Sequence, residues 1–175
     1  AFEGLPVNVH FHQVAILDHD GLESLQLWPH MRPQKMYVHT LPSIMGTLGH
    51  NHVDIMKVDI EGHEHRVFAH LAELGWPAIP GQLYLEVHAA PDFPPYSASH
   101  VRRLVASLER AGLRLFNVER PWTWCQASCL QMSFIHRSWR PGVRFYAPER
   151  QWLDQAYSVE IESSSVAYRY HTNGS

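Results

Sequence analysis

The central segment of this sequence reads VDIMKVDIEGHE, from Val53 to Glu64. Its first half is rich in Val, Ile and Met, which predicts a strand buried on both faces of a parallel sheet. Its second half is acidic, and Gly62 is expected to open a helix that runs to Leu74. A strand that ends in carboxylates and turns into a helix places them at the carboxyl edge of an α/β sheet, where ligands bind. We therefore expect the functional site at this edge.

A second strand is predicted at residues 82–88, QLYLEVH, a mostly apolar run that ends in polar groups. Together with the central segment and the helix between them, it makes a right-handed parallel unit. The two strands would then finish side by side, one in Asp59 and Glu61 and the other in Glu86 and His88. We take these four residues as the candidate catalytic residues.

The candidate residues allow several roles. Asp59 and Glu61 either orient the substrate, act as a base with a carboxyl pKa raised from about 4, or cap the following helix. Glu86 and His88 could join them around a divalent metal ion, in a metal-free pair with His88 as general base, or in a purely structural hydrogen bond. The metal ion is the least favoured of these alternatives, so no residue is assigned as a metal ligand.

Two further predictions concern basic side chains near this segment. Lys57 lies inside the apolar strand and is expected to pair with a carboxylate, because a buried, unpaired ammonium group is costly. His63 and His65 are two apart on a helix, so they cannot face the same ligand. Both histidines are expected on the surface.

The remaining segments predict a chain of alternating strands and helices. Residues 22–36 contain two prolines and no clear period, which indicates an irregular connection with a short strand at most. The two last strands are joined without a helix and are expected to be antiparallel. The predicted elements, in chain order, are a strand at 7–17, a helix at 40–49 capped by Thr40, a helix after Ser97 or Ser99, and strands at 113–119 and 130–136.

Size and composition exclude several classes of protein. The chain has 175 residues, of which 45% are hydrophobic, enough for one domain with a real core. Its net charge of −3 lacks the basic surplus of a dedicated nucleic-acid binder, and no apolar run is long enough to span a bilayer. Cys125 and Cys129 could pair, bind metal or stay as reduced thiols. We expect neither a nucleic-acid partner nor a membrane span.

Several sequence blocks resemble the FkbM-like, methyltransferase-like family of S-adenosylmethionine-dependent methyltransferases. These blocks are KVDIEGHE at 57–64 preceded by TLP at 40–42, QLYLEVH at 82–88, LERAGLRLF at 108–116 and SFI at 133–135. The resemblance covers roughly residues 7 to 137. It implies a Rossmann-like class I methyltransferase fold, O-methyl transfer from S-adenosylmethionine to a small-molecule or sugar acceptor, and Gln13, Ala15 and Asp59 as cofactor-binding residues.

The sequence departs from that family at the cofactor cradle. Class I methyltransferases begin with a strand and a Gly-rich turn, and no G-x-G pattern occurs here. If residues 7–17 are the third strand of the usual order 3-2-1-4-5-7-6, the central segment is the fourth, and the sheet lacks its first two strands. We expect weak binding of the cofactor by this chain.

Two explanations of the missing strands remain open. Either a missing N-terminal half or a protein partner completes the sheet, or the chain is a catalytically inactive module that serves as a structural subunit of a larger assembly. The chain is accordingly divided into a partial methyltransferase-like α/β domain at 1–137 and a C-terminal extension or tail at 138–175.

Overall fold

The computed structural model describes residues 9–26, 31–75, 78–89, 96–120 and 129–140. None of the helices in these ranges has the length and apolar character needed to cross a membrane. From residue 141 onward, the predicted C-terminal tail lies outside the described residues. The elements, in chain order, are β1 (Ala15–Ile16), β2 (Gly21–Leu25), β3 (Gln34–His39), α1 (Leu41–Leu48), β4 (Ile55–Val58), α2 (Glu64–Leu74), β5 (Gln82–His88), α3 (Ala98–Arg110), β6 (Leu113–Glu119) and β7 (Cys129–His136).

The larger sheet has four strands in the order β4-β5-β7-β6. Strand β4 runs parallel to β5, with Met56 opposite Leu83 and Val58 opposite Leu85. Strand β7 is antiparallel to both of its neighbours, β5 and β6. The predicted parallel unit and the predicted antiparallel pair at the end of the domain are therefore both confirmed.

Strand β4 lies at the edge of this sheet, and the prediction that it is buried on both faces is wrong. Ile55 is 69% exposed and Lys57 is exposed, whereas Val58 is buried. A run of four apolar residues does not reveal which strands will flank it, because the same composition suits an edge and a centre. The ammonium group of Lys57 reaches water, so it is not the buried charge that was expected, although it acts electrostatically on the carboxylate of Asp59.

The smaller sheet has three strands in the order β1-β3-β2, with β2 antiparallel and β1 parallel to β3. The strand predicted at 7–17 is therefore reduced, within the described residues, to Ala15 and Ile16. The irregular connection predicted at 22–36 instead contains most of the antiparallel pair β2 and β3. Strand β2 was missed because it carries Glu23 and Ser24 in its middle, which hides the apolar pattern of a strand.

Helix α1 begins and ends as predicted. The Oγ1 atom of Thr40 accepts a hydrogen bond from the Ser43 N–H at 3.2 Å, and Gly49 ends the helix with a φ of 69°. Asp20 fixes the same helix start, because its carboxylate accepts from the Thr40 N–H at 2.9 Å and from the Ser43 hydroxyl at 2.6 Å. These contacts hold α1 against the smaller sheet.

The hydrophobic core joins side chains of both sheets with side chains of α1, α2 and α3. Its fully buried side chains include Phe68 and Leu71 of α2, Leu85 of β5, Leu108 of α3 and Phe134 of β7. Arg66 of α2 forms ion pairs with Asp18, which follows β1, and with Glu23 of β2, so it links the helix to the smaller sheet. This packing fixes the start of α2 directly beside the ends of β4 and β5.

Candidate functional site

Four acidic residues and one histidine meet where β4 and β5 end. We call this group the rim cluster: Asp59, Glu61, Glu64, Glu86 and His88. The Nε2 atom of His88 lies 3.4 Å from Glu61 Oε2 and 4.0 Å from Glu86 Oε1, while its Nδ1 atom lies 3.1 Å from Glu64 Oε1. Potential ligand atoms of Asp59, Glu61 and His88 all lie within 4.8 Å of one another. The structure thus brings together all four residues that were predicted as catalytic.

A tight turn after β4 directs the acidic side chains toward β5. Glu61 has a φ of 54° and Gly62 a φ of 96°, so two consecutive residues adopt the left-handed region. That conformation is uncommon for a residue with a side chain, and Gly62 accepts it without a Cβ clash. The N-cap residue of α2 is His63, and no side chain caps the helix. The alternative in which Asp59 and Glu61 cap α2 is therefore not realised.

Glu64 is the member of the cluster that sequence reasoning missed. It is 0% exposed, its Oε1 atom accepts a hydrogen bond from the Ile60 N–H at 2.9 Å, and the same atom contacts His88. Burial opposes its ionisation, but the hydrogen bonds from His88 and Ile60 outweigh burial and hold the pKa of Glu64 below its usual value. The sequence does indicate this burial, because Glu64 lies on the apolar face of α2. It shares that face with Val67, Phe68 and Leu71 at the spacing i, i+3, i+4 and i+7.

His88 carries the positive charge of the cluster. Burial alone would lower its pKa, but the hydrogen bond with Glu64 and the charges of Glu64, Glu61 and Asp59 raise that pKa above 6.5. The raised pKa shifts His88 toward the imidazolium form, relative to an ordinary histidine. In this form both ring nitrogens are donors, one toward Glu64 and the other toward Glu61.

The two outer carboxylates have raised pKa values. Burial is the main cause for Asp59, and repulsion from Glu86 adds to it. Burial is also the main cause for Glu61, where repulsion from Asp59 and Glu64 adds to it although His88 opposes the shift. Asp59 is exposed and Glu61 is half-buried, so both can reach a ligand. They are better proton acceptors than ordinary surface carboxylates.

Glu86 is buried and anchored to β7. Its Oε2 atom accepts a hydrogen bond from Gln131 Nε2 at 2.9 Å, and Gln131 Oε1 in turn accepts from the Tyr84 hydroxyl at 2.7 Å. The Sγ atom of Cys129 lies 3.2 Å from Glu86 Oε1. Cys129 is disulfide-bonded, so the alternative of a reduced thiol is wrong for this residue. Glu86 thus forms the fixed inner wall of the cluster.

His65 lies behind the cluster, and the prediction that it is on the surface is wrong. It is buried, its Nε2 atom lies 2.9 Å from the carbonyl oxygen of His88, and its ring stacks on Tyr96 with centroids 3.8 Å apart. Burial lowers the pKa of His65, which favours a neutral ring whose Nε2–H donates to that carbonyl. His63, also expected on the surface, is half-buried. The spacing of the two histidines did not reveal that Tyr96 stacks on His65.

Gln13 and Ala15, predicted to bind the cofactor, lie in a different part of the fold. Ala15 belongs to β1 of the smaller sheet, paired with Val38, and Gln13 is exposed just before it. The rim cluster belongs to the larger sheet. The structure therefore does not place these two residues on the same sheet as Asp59, and their role stays a prediction.

A separate groove of about 1060 Å³ runs between α2 and α3. Its lining includes His65, Arg66, Tyr96, His100 and Arg103, but none of the carboxylates of the rim cluster. The carboxylates of the rim cluster therefore do not line this groove. We assign the candidate site to the rim cluster, because its groups meet at the carboxyl ends of two adjacent parallel strands.

Comparisons with known proteins agree with the resemblance seen in the sequence. The sequence profile of the Methyltransferase FkbM domain matches residues 6–115, a range that includes the whole rim cluster. A probable methyltransferase-like protein 24 of Rattus norvegicus is 30% identical over 149 residues, which cover 68% of this chain and 41% of the relative, so this chain spans about two fifths of the relative's length. No solved structure matches significantly. The chain belongs to the FkbM methyltransferase domain family.

Proposed function

We propose that this chain transfers a methyl group from S-adenosylmethionine to an oxygen atom of a small molecule, such as a sugar, at the rim cluster. The observation that carries this proposal is the convergence of Asp59, Glu61, Glu86 and His88 at the ends of two adjacent parallel strands. This edge is where open α/β sheets bind their ligands. Membership of a methyltransferase family supports the reaction class.

The topology of the larger sheet supports a Rossmann-like class I arrangement. Its order β4-β5-β7-β6, with β7 antiparallel, corresponds to the last four strands of the order 3-2-1-4-5-7-6. In that comparison the next strand would pair with the outer edge of β4. A longer chain or a partner protein could add strands there and complete a cradle for the methyl donor.

The chemistry of the transfer defines what the rim cluster must do. The acceptor oxygen attacks the methyl carbon, the carbon–sulfur bond breaks, and neutral S-adenosylhomocysteine leaves, so the hydroxyl proton needs an acceptor. Asp59 and Glu61 take this proton, because they are accessible and their pKa values are raised. His88, held by Glu64, keeps Glu61 in place. Asp59 also lies where a carboxylate could orient the amino group of the donor.

Detection of S-adenosylhomocysteine by mass spectrometry tests the proposal. The chain is incubated with a panel of hydroxyl-bearing acceptors and millimolar S-adenosylmethionine, because the lack of a Gly-rich turn predicts weak binding. With a competent acceptor, Asp59→Asn should slow product formation by about 100-fold or more, the usual contribution of a positioned base. The matched control is Glu109→Gln on the exposed face of α3, which should leave the rate unchanged. An unchanged rate in Asp59→Asn would refute the assigned role.

A second candidate function is a non-catalytic structural module. It is favoured by the absence of any G-x-G pattern in the sequence and by the exposed edge strand β4, where Ile55 faces water. This candidate predicts that no acceptor leads to S-adenosylhomocysteine and that the chain does not bind S-adenosylmethionine. The same assay therefore separates the two functions.

A further inference from the structure

We propose that the rim cluster binds a divalent metal ion through Asp59, Glu61 and His88. From the sequence alone, a metal ion was one of three alternatives for these residues, and no ligand was assigned. The arrangement of the side chains leads to the opposite conclusion. Two carboxylates and an imidazole, contributed by two separate segments of the chain, point into one small space.

The distances between the potential ligand atoms suit an ion. One atom from each of the three residues lies within 4.8 Å of the other two. Ligands bound at about 2.0–2.2 Å lie at most about 4.4 Å apart across an ion. His88 Nε2 and Glu61 Oε2, 3.4 Å apart, already lie within that range, and the exposed side chain of Asp59 can move to close the remaining distances.

The orientation of His88 is that of a metal ligand. Its Nδ1 atom is held by Glu64 at 3.1 Å, which leaves Nε2 directed toward Glu61 at 3.4 Å. Histidines that bind metals usually donate their second ring N–H to a carboxylate or carbonyl group in this way. The same carboxylate of Glu64 is fully buried, and its Oε2 atom has no hydrogen-bond partner among the described residues. This buried carboxylate fixes the ring of His88 through Nδ1 and leaves Nε2 facing Glu61.

The balance of charge points the same way. The cluster contains four carboxylates and a single imidazole, and Lys57 is the nearby cation that acts on Asp59. Close like charges repel strongly where water is partly excluded. A divalent cation between Asp59 and Glu61 would convert this repulsion into attraction.

The ligand set and the exposure indicate which ion fits. Two oxygens and one imidazole nitrogen suit a first-row ion such as Mn²⁺, whereas Ca²⁺ prefers about six to eight oxygen ligands. Asp59 is exposed and Glu61 and His88 are only partly buried, so coordination positions stay open toward solvent. If the proposed function holds, an ion there would lower the pKa of the acceptor hydroxyl and so ease the loss of its proton.

Calorimetric titration of the metal-free chain with Mn²⁺ tests the site without any methyl transfer. We expect one saturable site. Asp59→Asn should weaken binding at least about 10-fold, and Glu64→Gln, which is no ligand but supports the site through His88 and the Ile60 N–H, should weaken it by about 10-fold. Glu109→Gln is the control and should bind like the original chain. Ca²⁺ should bind more weakly than Mn²⁺.

Nuclear magnetic resonance provides a readout that needs no variant. Substoichiometric Mn²⁺ should broaden the ring signals of His88 before those of the other histidines. Absence of saturable binding at millimolar Mn²⁺, equal binding by Asp59→Asn, or broadening that begins elsewhere would overturn the proposal. Mn²⁺ binding at His88 without methyl transfer would leave the metal site intact and refute the proposed function. Methyl transfer without Mn²⁺ binding would refute the metal site and leave the proposed function intact.

Discussion

Replacement of Glu64 by Gln should destabilise the domain, although it changes only one atom. Glu64 is 0% exposed and makes a hydrogen bond to His88 at 3.1 Å. A hydrogen bond to a charged group contributes about 1.5–3 kcal/mol. The amide oxygen of Gln can take the place of Oε1 and still accept from the Ile60 N–H and from His88, so the negative charge is what is lost. We expect a net loss of about 1 kcal/mol in the free energy of unfolding, the difference between a charged and a neutral hydrogen bond.

The size of this loss should depend on pH in a defined direction. The pKa of Glu64 is lowered from 4.5 in the folded state, so its contribution is present above pH 4.5 and is lost as the pH falls through the lowered value. The pKa of His88 is raised from 6.5, so its contribution is present below pH 6.5 and is lost as the pH rises through the raised value. The effect of Glu64→Gln should therefore be largest between these two ordinary values and shrink at alkaline pH.

Urea unfolding in a buffer with a chelator, measured from pH 5 to 9, checks both the size and the direction. The m-value should be unchanged, because the surface exposed on unfolding is the same. Glu109→Gln makes the same chemical change on the exposed face of α3 and should shift stability by less than about 0.5 kcal/mol. The reasoning would be refuted if Glu64→Gln behaved like this control, or if its effect were the same at pH 5.5 and pH 9.

Two further predictions concern how α2 is held in the fold. Phe68→Ala should cost about 3–5 kcal/mol in urea unfolding, because Phe68 is fully buried, whereas Leu74→Ala at the 49% exposed end of the helix should cost far less. Arg66→Gln should cost about 0.5–1 kcal/mol at pH 7, since it removes partly exposed ion pairs at 2.8 Å to Asp18 and 3.0 Å to Glu23. Burial raises the pKa of Asp18, but the hydrogen bond and charge of Arg66 outweigh burial, so the net pKa lies below 3.8. The contribution of this ion pair to stability is therefore present above pH 3.8 and is lost on acidification. Equal effects of Arg66→Gln at pH 7 and pH 2.5 would contradict this.

The parallel pair and the four candidate residues could be predicted because they depend on local sequence. Two apolar runs with a helix between them leave few topologies, and right-handed connection places their carboxyl ends together. Asp59 and His88 then follow from their positions at the ends of the runs. The antiparallel arrangement of β6 and β7 could also be predicted, because no helix separates the two strands in the sequence.

The features that sequence reasoning missed depend on packing between distant segments. Ile55 has the composition of a buried residue, and only the sheet order shows that it lies at an edge. His65 looks like a surface residue until Tyr96 is placed over it. Glu64 is charged, so it was not sought in a core, yet its partner His88 lies 24 positions later in the chain and makes its burial tolerable.

The most direct test of the central claim is to map where the methyl donor binds. Backbone chemical shifts of the labelled chain are recorded during a titration with S-adenosylmethionine into the millimolar range, at which weak binding is detectable. We expect the largest shifts at residues 58–64 and 85–89, around Asp59 and His88. Shifts confined to the groove between α2 and α3, or to β6, would contradict the assignment of the reacting centre to the ends of β4 and β5.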